Sequence, residues 1–309
     1  MMILPEGRYL HTEENQELSA SKEGLLKAKE EQIPLEAIAL RCEEGLGITV
    51  SLGNFIGFIP WFQGALGLET GLVREIAVMS RIGRPIAFLV EDILEENGRI
   101  TPILSRSRLQ QQAKDHILSL RNGTVLPATI TRLETFGAFV DIGCGIASLI
   151  SNDRISISRI THPSQRFQRG QEIYVAILEH DWQEERVRVT HRELLGSWSE
   201  NASKFSIGMT LPGMVRSIKN YGIFVELSPN FSGLAEVVDG IIEGQRVSVY
   251  IKGILPDKMK CKLLIIGELP PADPYPLSYF LPETGQLSHW NYATEGCEKS
   301  GGETFFHTF

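Results

Sequence analysis

Two aromatic pairs carry the chemistry that this chain's residue types suggest. Phe136 and Phe139 bracket Gly137-Ala138, and Tyr221 and Phe224 bracket Gly222-Ile223. Rings at this spacing on a regular strand face opposite sides. A glycine in the strand allows a bulge or local coil that turns both rings to one face. Two flat rings side by side on an outer sheet face make a platform on which nucleic-acid bases stack. The plainer alternative is that the rings are core, since Ala138, Val140 and Ile142 need one buried face. The recurrence of the aromatic–glycine spacing in register favours exposure.

Basic residues follow each pair. Arg186 and Arg188, then Lys260 and Lys262, alternate along apolar runs. Alternation puts each basic pair on one strand face, where it can hold phosphate, though a solvated strand face is an equal alternative. Between the first aromatic pair and its basic pair lie Arg154, Arg159, His162, Arg166 and Arg169. They are either phosphate contacts or parts of a structured cap with arginines pointing to water.

The elements that must position these groups are repeated. Residues 208–234 follow the order of residues 123–149 without a gap: Leu211-Pro212 on Leu126-Pro127, Tyr221 to Val225 on Phe136 to Val140, Leu234 on Leu149. Residues 244–260 then follow 170–186, so the later copy is the shorter, by residues lost between its third strand and Gly244-Gln245. A fixed order of matches with one loop indel marks a repeat. A fainter copy lies upstream. Leu46-Gly47-Ile48-Thr49-Val50 stands for the aromatic stretch and Gly57-Phe58-Ile59-Pro60 for the third strand, so Leu46 and Thr49 hold its stacking positions.

This order resembles the S1 RNA-binding domain: a strand, FGAFV, a glycine turn, a third strand, a Gly-Gln before the fourth and Arg-Val-Arg-Val on the fifth. The wider order is similar to that of the three-repeat S1-like proteins of clostridia-type bacteria, including Ser158-Arg159-Ile160, His162-Pro163-Ser164 and Glu193 to Trp198. The resemblance implies an all-β chain, a tandem array of three five-stranded OB-fold barrels joined by short helices. It places the position of Arg186 beside the aromatic platform. It also assigns a base contact on the third strand, often histidine, to Ser151; Glu236 and Pro60 stand there in the other copies. The family's acidic residue before the last strand matches Asp181. The RNA-binding set expected from residues and resemblance together is Phe136, Phe139, Ser151, Asp181, Arg186, Arg188, Tyr221, Phe224, Lys260 and Lys262.

The expected organisation is a helical segment over 1–32, a divergent first repeat over 33–113, repeats over 119–195 and 205–267, and a proline- and aromatic-rich tail over 268–309. Thr12 to Gln32 reads as a helix, and Arg108 to Leu120 as a second, with Leu109, Ala113, Ile117 and Leu120 at helical spacing. Val73 to Val78 reads equally as a strand or a helical turn. A third connector spans His191 to Phe205. The tail has four prolines between 270 and 276, so it is extended, and its aromatics point to docking on the third repeat.

Composition narrows the function classes. Net charge is −8, against a general DNA binder. Repeats two and three are the least acidic segments, which suits a polyanion partner there. No apolar run reaches the ~18 residues of a membrane span. The N-terminus shows no secretory pattern, and Cys42, Cys144, Cys261 and Cys297 lack C-x-x-C spacing, so a cytoplasmic chain with reduced thiols is expected. Phosphate-loop, zinc-protease and serine-elbow motifs are absent, and Asp141 has no partner carboxylate at a defined spacing. The expected function is therefore non-catalytic binding of single-stranded RNA, mRNA in translation, with the small ribosomal subunit as the further partner. No cofactor, metal, membrane or small-molecule substrate is expected. Two alternatives stay open: a protein-interaction module docking on the ribosome, and an accessory subunit of an RNA-degrading complex.

Overall fold

The structure is a computed structural model and describes residues 3–43, 45–272, 276–294, 296–297 and 302–307. Two units divide it: residues 1–120 with 127–129 and 141–147, and residues 121–126, 130–140 and 148–309.

In the first unit, the polar start forms two helices rather than the single one expected: α1 (Glu13–Ala20) and α2 (Lys22–Glu30). Ser21 breaks them. It adopts extended backbone and its side chain accepts from the Gly24 amide at 3.0 Å, capping α2. A Cβ on Gly24 would fall 2.5 Å from the Leu18 carbonyl oxygen, so this corner requires glycine. Five strands follow: β1 (Leu35–Glu43), β2 (Gly47–Leu52), β3 (Phe55–Pro60), β4 (Pro85–Glu96) and β5 (Arg99–Ser105). They close into a barrel of order β1-β2-β3-β5-β4. Alternation fills it, with Ile48, Val50, Leu52, Ile86, Phe88 and Val90 all buried. The ambiguous stretch before β4 resolves as a helical turn, α3 (Ile76–Met79). The expected connector is α4 (Arg106–Ser119), which buries Leu109, Ala113 and Ile117.

The middle sheet has β6 (Val125–Glu134), β7 (Gly137–Asp141), β8 (Ala147–Ser151), β9 (Glu172–Asp181) and β10 (Arg186–Thr190), with a short α5 (Asn152–Ile155) after β8. Its order, β10-β9-β6-β7-β8, matches the first barrel except that third and fifth strands do not pair. The Ser148 hydroxyl donates to the Val187 carbonyl at 2.7 Å and ties those two strands by a side chain instead. A 3-10 turn at Arg192–Leu195 and α6 (Trp198–Ala202) lead on. The last barrel has β11 (Thr210–Lys219), β12 (Gly222–Ser228), β13 (Phe231–Ala235), β14 (Arg246–Leu255) and β15 (Lys260–Glu268), and is closed in the order β11-β12-β13-β15-β14. The chain is thus mostly β, with two closed barrels and a sheet of like order.

The tail does not take the seat expected on the last barrel alone. Residues 285–287 make a single antiparallel bridge to the start of β6: the Leu287 amide donates to the Gly123 carbonyl at 2.9 Å and the Val125 amide to the Gly285 carbonyl at 2.8 Å. The Tyr279 hydroxyl bonds His191 Nε2 at 3.1 Å, while His191 Nδ1 donates to the Ile155 carbonyl at 2.8 Å. Burial pushes the His191 imidazole down to about 4, so it is neutral, with its proton on Nδ1. β16 (His289–Asn291) and β17 (Glu303–Phe305) pair as a hairpin, and Tyr292 donates to the Asn230 carbonyl at 2.7 Å, reaching the last barrel. Trp290, Tyr292 and Phe306 are buried in one core with Val225 and Phe231. Ending the chain at Glu268 is therefore expected to lower the melting midpoint of the second unit, since each lost side chain contributes about 1.5–3 kcal/mol. An unchanged melt in a thermal scan would contradict this role.

Candidate nucleic-acid interface

Phe136 and Tyr221 each occupy the turn before a strand, not the strand itself. That placement lets the pair share a face, and the expected bulge at the glycine is not needed. In the β11–β12 pair of the last barrel the register shift sits on β11, between Val215 and Ser217. The glycine answers a different demand. A Cβ on Gly137 would lie 2.3 Å from the Ile150 carbonyl oxygen, and one on Gly222 would lie 2.7 Å from that of Ala235. Only glycine lets the second strand press against the third here.

Phe136 is 55% exposed and Tyr221 66%, while Phe139 and Phe224 are half-buried. The rings do not form flat shelves. Phe136 and Phe139 meet at 87° with centroids 6.0 Å apart, and Tyr221 and Phe224 at 87° and 6.2 Å. Each pair presents one open ring face, steadied by the edge-to-face contact of its partner. A base can stack on that open face.

The hairpin brings in a residue that the sequence reading missed. The Arg132 guanidinium lies 4.5 Å from the centre of the Phe139 ring and pairs with Glu134 at 3.0 Å. Counting back from the turn would have found it, because Ser217 stands opposite Phe224 in the last barrel and Arg132 is its counterpart. The middle sheet thus has a cation at its ring pair where the last barrel has a hydroxyl.

In the last barrel the register places Phe224 opposite Leu234, and Leu234 beside Lys262, in one row across the outer face. Lys260 and Lys262 are both exposed on β15. Arg186 and Arg188 are exposed on β10 and share a face, as alternation requires, but each has an acid: Glu184 at 4.0 Å and Glu179 at 3.0 Å. Exposed pairs of this kind are weak and can be exchanged for phosphate. The Asp181 carboxylate accepts from the Glu184 amide at 3.2 Å, closing the turn between those strands. The Ser151 hydroxyl donates to Asp153 at 2.6 Å and so spends its proton within the chain. Lys252 pairs with Glu236 at 3.0 Å, which offsets the charge of that acid.

The basic insertion divides. Arg166 is buried and bonds Glu226, which also takes both Nε and Nη2 of Arg216 at 2.8 and 3.1 Å. Arg154 pairs with Glu193 at 3.4 Å. His162 Nδ1 accepts from the Ser164 amide at 3.1 Å. The Ile157 amide donates to Asn230 at 2.9 Å and the Ser158 amide to the Pro229 carbonyl at 3.0 Å. The insertion is therefore a cap on the last barrel, and only Arg159 and Arg169 of its arginines face solvent.

At the first barrel Leu46 is 61% exposed and Thr49 half-buried. Its ring has moved one strand over, to Phe58, which stands opposite Thr49. Asp141 is a buried anchor, not a reactive group. Its carboxylate accepts from the amides of Glu6 at 2.8 Å, Gly143 at 2.8 Å and Gly145 at 3.0 Å, and burial pushes it up to about 7. No cluster of three metal-ligating side chains occurs among the described residues. No described helix is long and apolar enough to cross a membrane.

Residues 119–192 match the family model of the S1 RNA binding domain. Over 244 residues the chain is 31% identical to small ribosomal subunit protein bS1 of Staphylococcus aureus strain COL, covering 74% of this chain and 60% of that protein. The small ribosomal subunit protein bS1 homolog of Bacillus subtilis is 30% identical over 246 residues, covering 74% and 62%. The bS1 protein of Staphylococcus epidermidis is 29% identical over 281 residues, covering 85% and 69%. The chain thus spans about three-fifths of the length of the first two of these relatives.

Proposed function

This chain carries a domain of the S1 RNA-binding family at residues 119–192, and from that premise we propose that it binds single-stranded RNA without catalysis. The observation that carries this reading is the recurrence of one exposed ring, Phe136 and then Tyr221, at the same turn of two like-ordered sheets, with Arg132 at the Phe139 ring and Lys262 on the row of Phe224. Phe136 and Tyr221 take bases by stacking, with Phe139 and Phe224 as their supports. Arg186, Arg188, Lys260 and Lys262 take phosphates, and Arg132 joins them at Phe139. Asp181 and Ser151 shape the loops around the face. The three like-ordered sheets act as three S1-type OB modules, over 33–113, 119–195 and 205–267, with the ring-bearing second and third carrying most of the affinity.

The likeness to bS1 proteins supports mRNA in translation as the ligand, the small ribosomal subunit as the partner and the cytoplasm as the compartment. A filter-binding titration of the full chain against single-stranded RNA, duplex RNA and duplex DNA tests the reading. Preference for the single strand is expected, and equal binding to all three would refute it.

Salt dependence follows from the charge. The five face cations, Arg132 among them, neutralise few phosphates, at about 0.7 in log–log slope per phosphate of a single strand. The slope of log K against log salt is therefore expected to stay below about 4, stacking supplying the remainder. A much steeper slope in the same titration would mean that phosphate contacts elsewhere dominate.

A further inference from the structure

The first barrel keeps the frame of a ring face and changes which strand carries the ring. Arg41 on β1 stands opposite Thr49 on β2. Ser217 stands opposite Phe224 in the same way, and Arg132 is its counterpart in the middle sheet. Arg41 Nε pairs with Glu43 at 3.0 Å, and Arg132 Nε with Glu134 at 3.0 Å. Both arginine side chains are mostly exposed, 73% and 64%, so either can turn to a ligand. Burial also runs in step. Leu46, Gly47, Ile48 and Thr49 are exposed, buried, buried and half-buried, and so are Phe136, Gly137, Ala138 and Phe139.

The third strand shows where the ring went. In each copy the glycine that opens the second strand presses on a side chain of the third. A Cβ on Gly137 would lie 3.1 Å from a Leu149 methyl, and one on Gly222 would lie 2.8 Å from a Leu234 methyl. A Cβ on Gly47 would lie 2.9 Å from two carbons of the Phe58 ring. Phe58 therefore occupies the seat of those leucines. It stands opposite Thr49 and beside Ile103, in one row with Arg41 across the outer face. Leu234 meets Phe224 across the strands, whereas Phe58 meets the smaller Thr49. Ring and aliphatic side chain have changed strands, and the row keeps one of each.

We propose that this face holds one base of the same single-stranded RNA, stacked on the Phe58 ring with Arg41 at its edge. The inference rests on the RNA reading of the other two faces and extends it to a barrel without their second-strand rings. Stacking needs a flat apolar surface and is indifferent to which strand supplies it. The planar fork of an arginine hydrogen-bonds a base edge. Leu46, 61% exposed, stands where Phe136 and Tyr221 stand and offers no stacking plane, so this face is the weakest of the three. The recurrence of the arginine–glutamate pair at the same place as in the middle sheet favours a base over a protein side chain as the occupant.

Phe58→Leu supplies the residue that stands there in the other two repeats, so the barrel should fold and only the ring is lost. Its affinity for single-stranded RNA, measured on the full chain by filter binding, is expected to fall at least about fivefold, the low end of one lost base stack. Phe58→Tyr keeps the ring and should bind as the parent does. Arg41→Ala, at an exposed position, should also weaken binding, and it carries the expectation if Phe58→Leu lowers the melt. Irradiated RNA with photoactivatable uridines should attach to β3 of the parent and not to β3 of Phe58→Leu. Equal affinity of the parent, Phe58→Leu and Arg41→Ala, in a chain that Phe136→Ala does weaken, would overturn this inference and leave the RNA reading standing. A parent that binds no single-stranded RNA would overturn both. Loss of co-sedimentation with ribosomes in Phe58→Leu at unchanged RNA affinity would give the face to a protein partner and overturn the inference as well.

Discussion

Phe136→Ala is expected to weaken binding of single-stranded RNA by about 1–3 kcal/mol, the cost of one lost base stack. The ring is 55% exposed, so its loss removes an open stacking face and little core. Tyr221→Ala, at 66% exposure, should act alike. Phe139→Ala and Phe224→Ala are different experiments, because those rings are half-buried. They should lower RNA affinity and stability together, short of the about 3–5 kcal/mol that a fully buried phenylalanine contributes. A titration paired with a denaturant melt separates the cases. Phe136→Ala losing stability but no affinity would remove the ring from the interface and leave the RNA reading on family likeness alone.

Glu226→Ala is expected to destabilise the protein by about 3–5 kcal/mol, the usual result of leaving buried charge unpaired. Glu226 is fully buried and holds two guanidinium groups, Arg166 with 3% of its side chain exposed and Arg216 with 13%. Removing the carboxylate leaves both cations without their anion, Arg166 beside the Ser156 hydroxyl and the Gln165 carbonyl and Arg216 beside the Gln165 side chain. Arg166→Met removes charge from the same site and should cost less, because Arg216 still neutralises Glu226 and the methionine fills space. The RNA affinity of either folded variant should match the parent, since Arg166 is 3% exposed and spent on Glu226. Denaturant midpoints at constant m-value read the first effect. A folded Arg166→Met with normal stability and weakened RNA binding would instead return the insertion to the interface.

Sequence alone determined the repeated β architecture and the ring faces, because both rest on local rules. Period-two alternation decides which side of a strand is core, and the Phe-Gly and Tyr-Gly pairs recur in register with their following cations. Helix α4 was readable for the same reason, its apolar residues falling at helical spacing. Local rules stop where a residue's partner is far along the chain. Nothing near Arg166 in sequence tells that it meets Glu226, so a buried ion-pair partner read equally as a phosphate contact or as a cap arginine pointing to water. The perpendicular ring pairs came from packing of a turn residue against a strand residue, which spacing cannot encode. Gly24 lies within the single helix expected over Thr12 to Gln32, yet its close approach to Leu18 belongs to a corner between two helices. The tail's aromatics implied docking, but which strand edge they reach depends on free backbone groups at Gly123 and Val125. Only the tertiary structure shows that the edge at Gly123 and Val125 is the one the tail takes, because edge pairing is a property of assembled sheets and not of any strand's own residues.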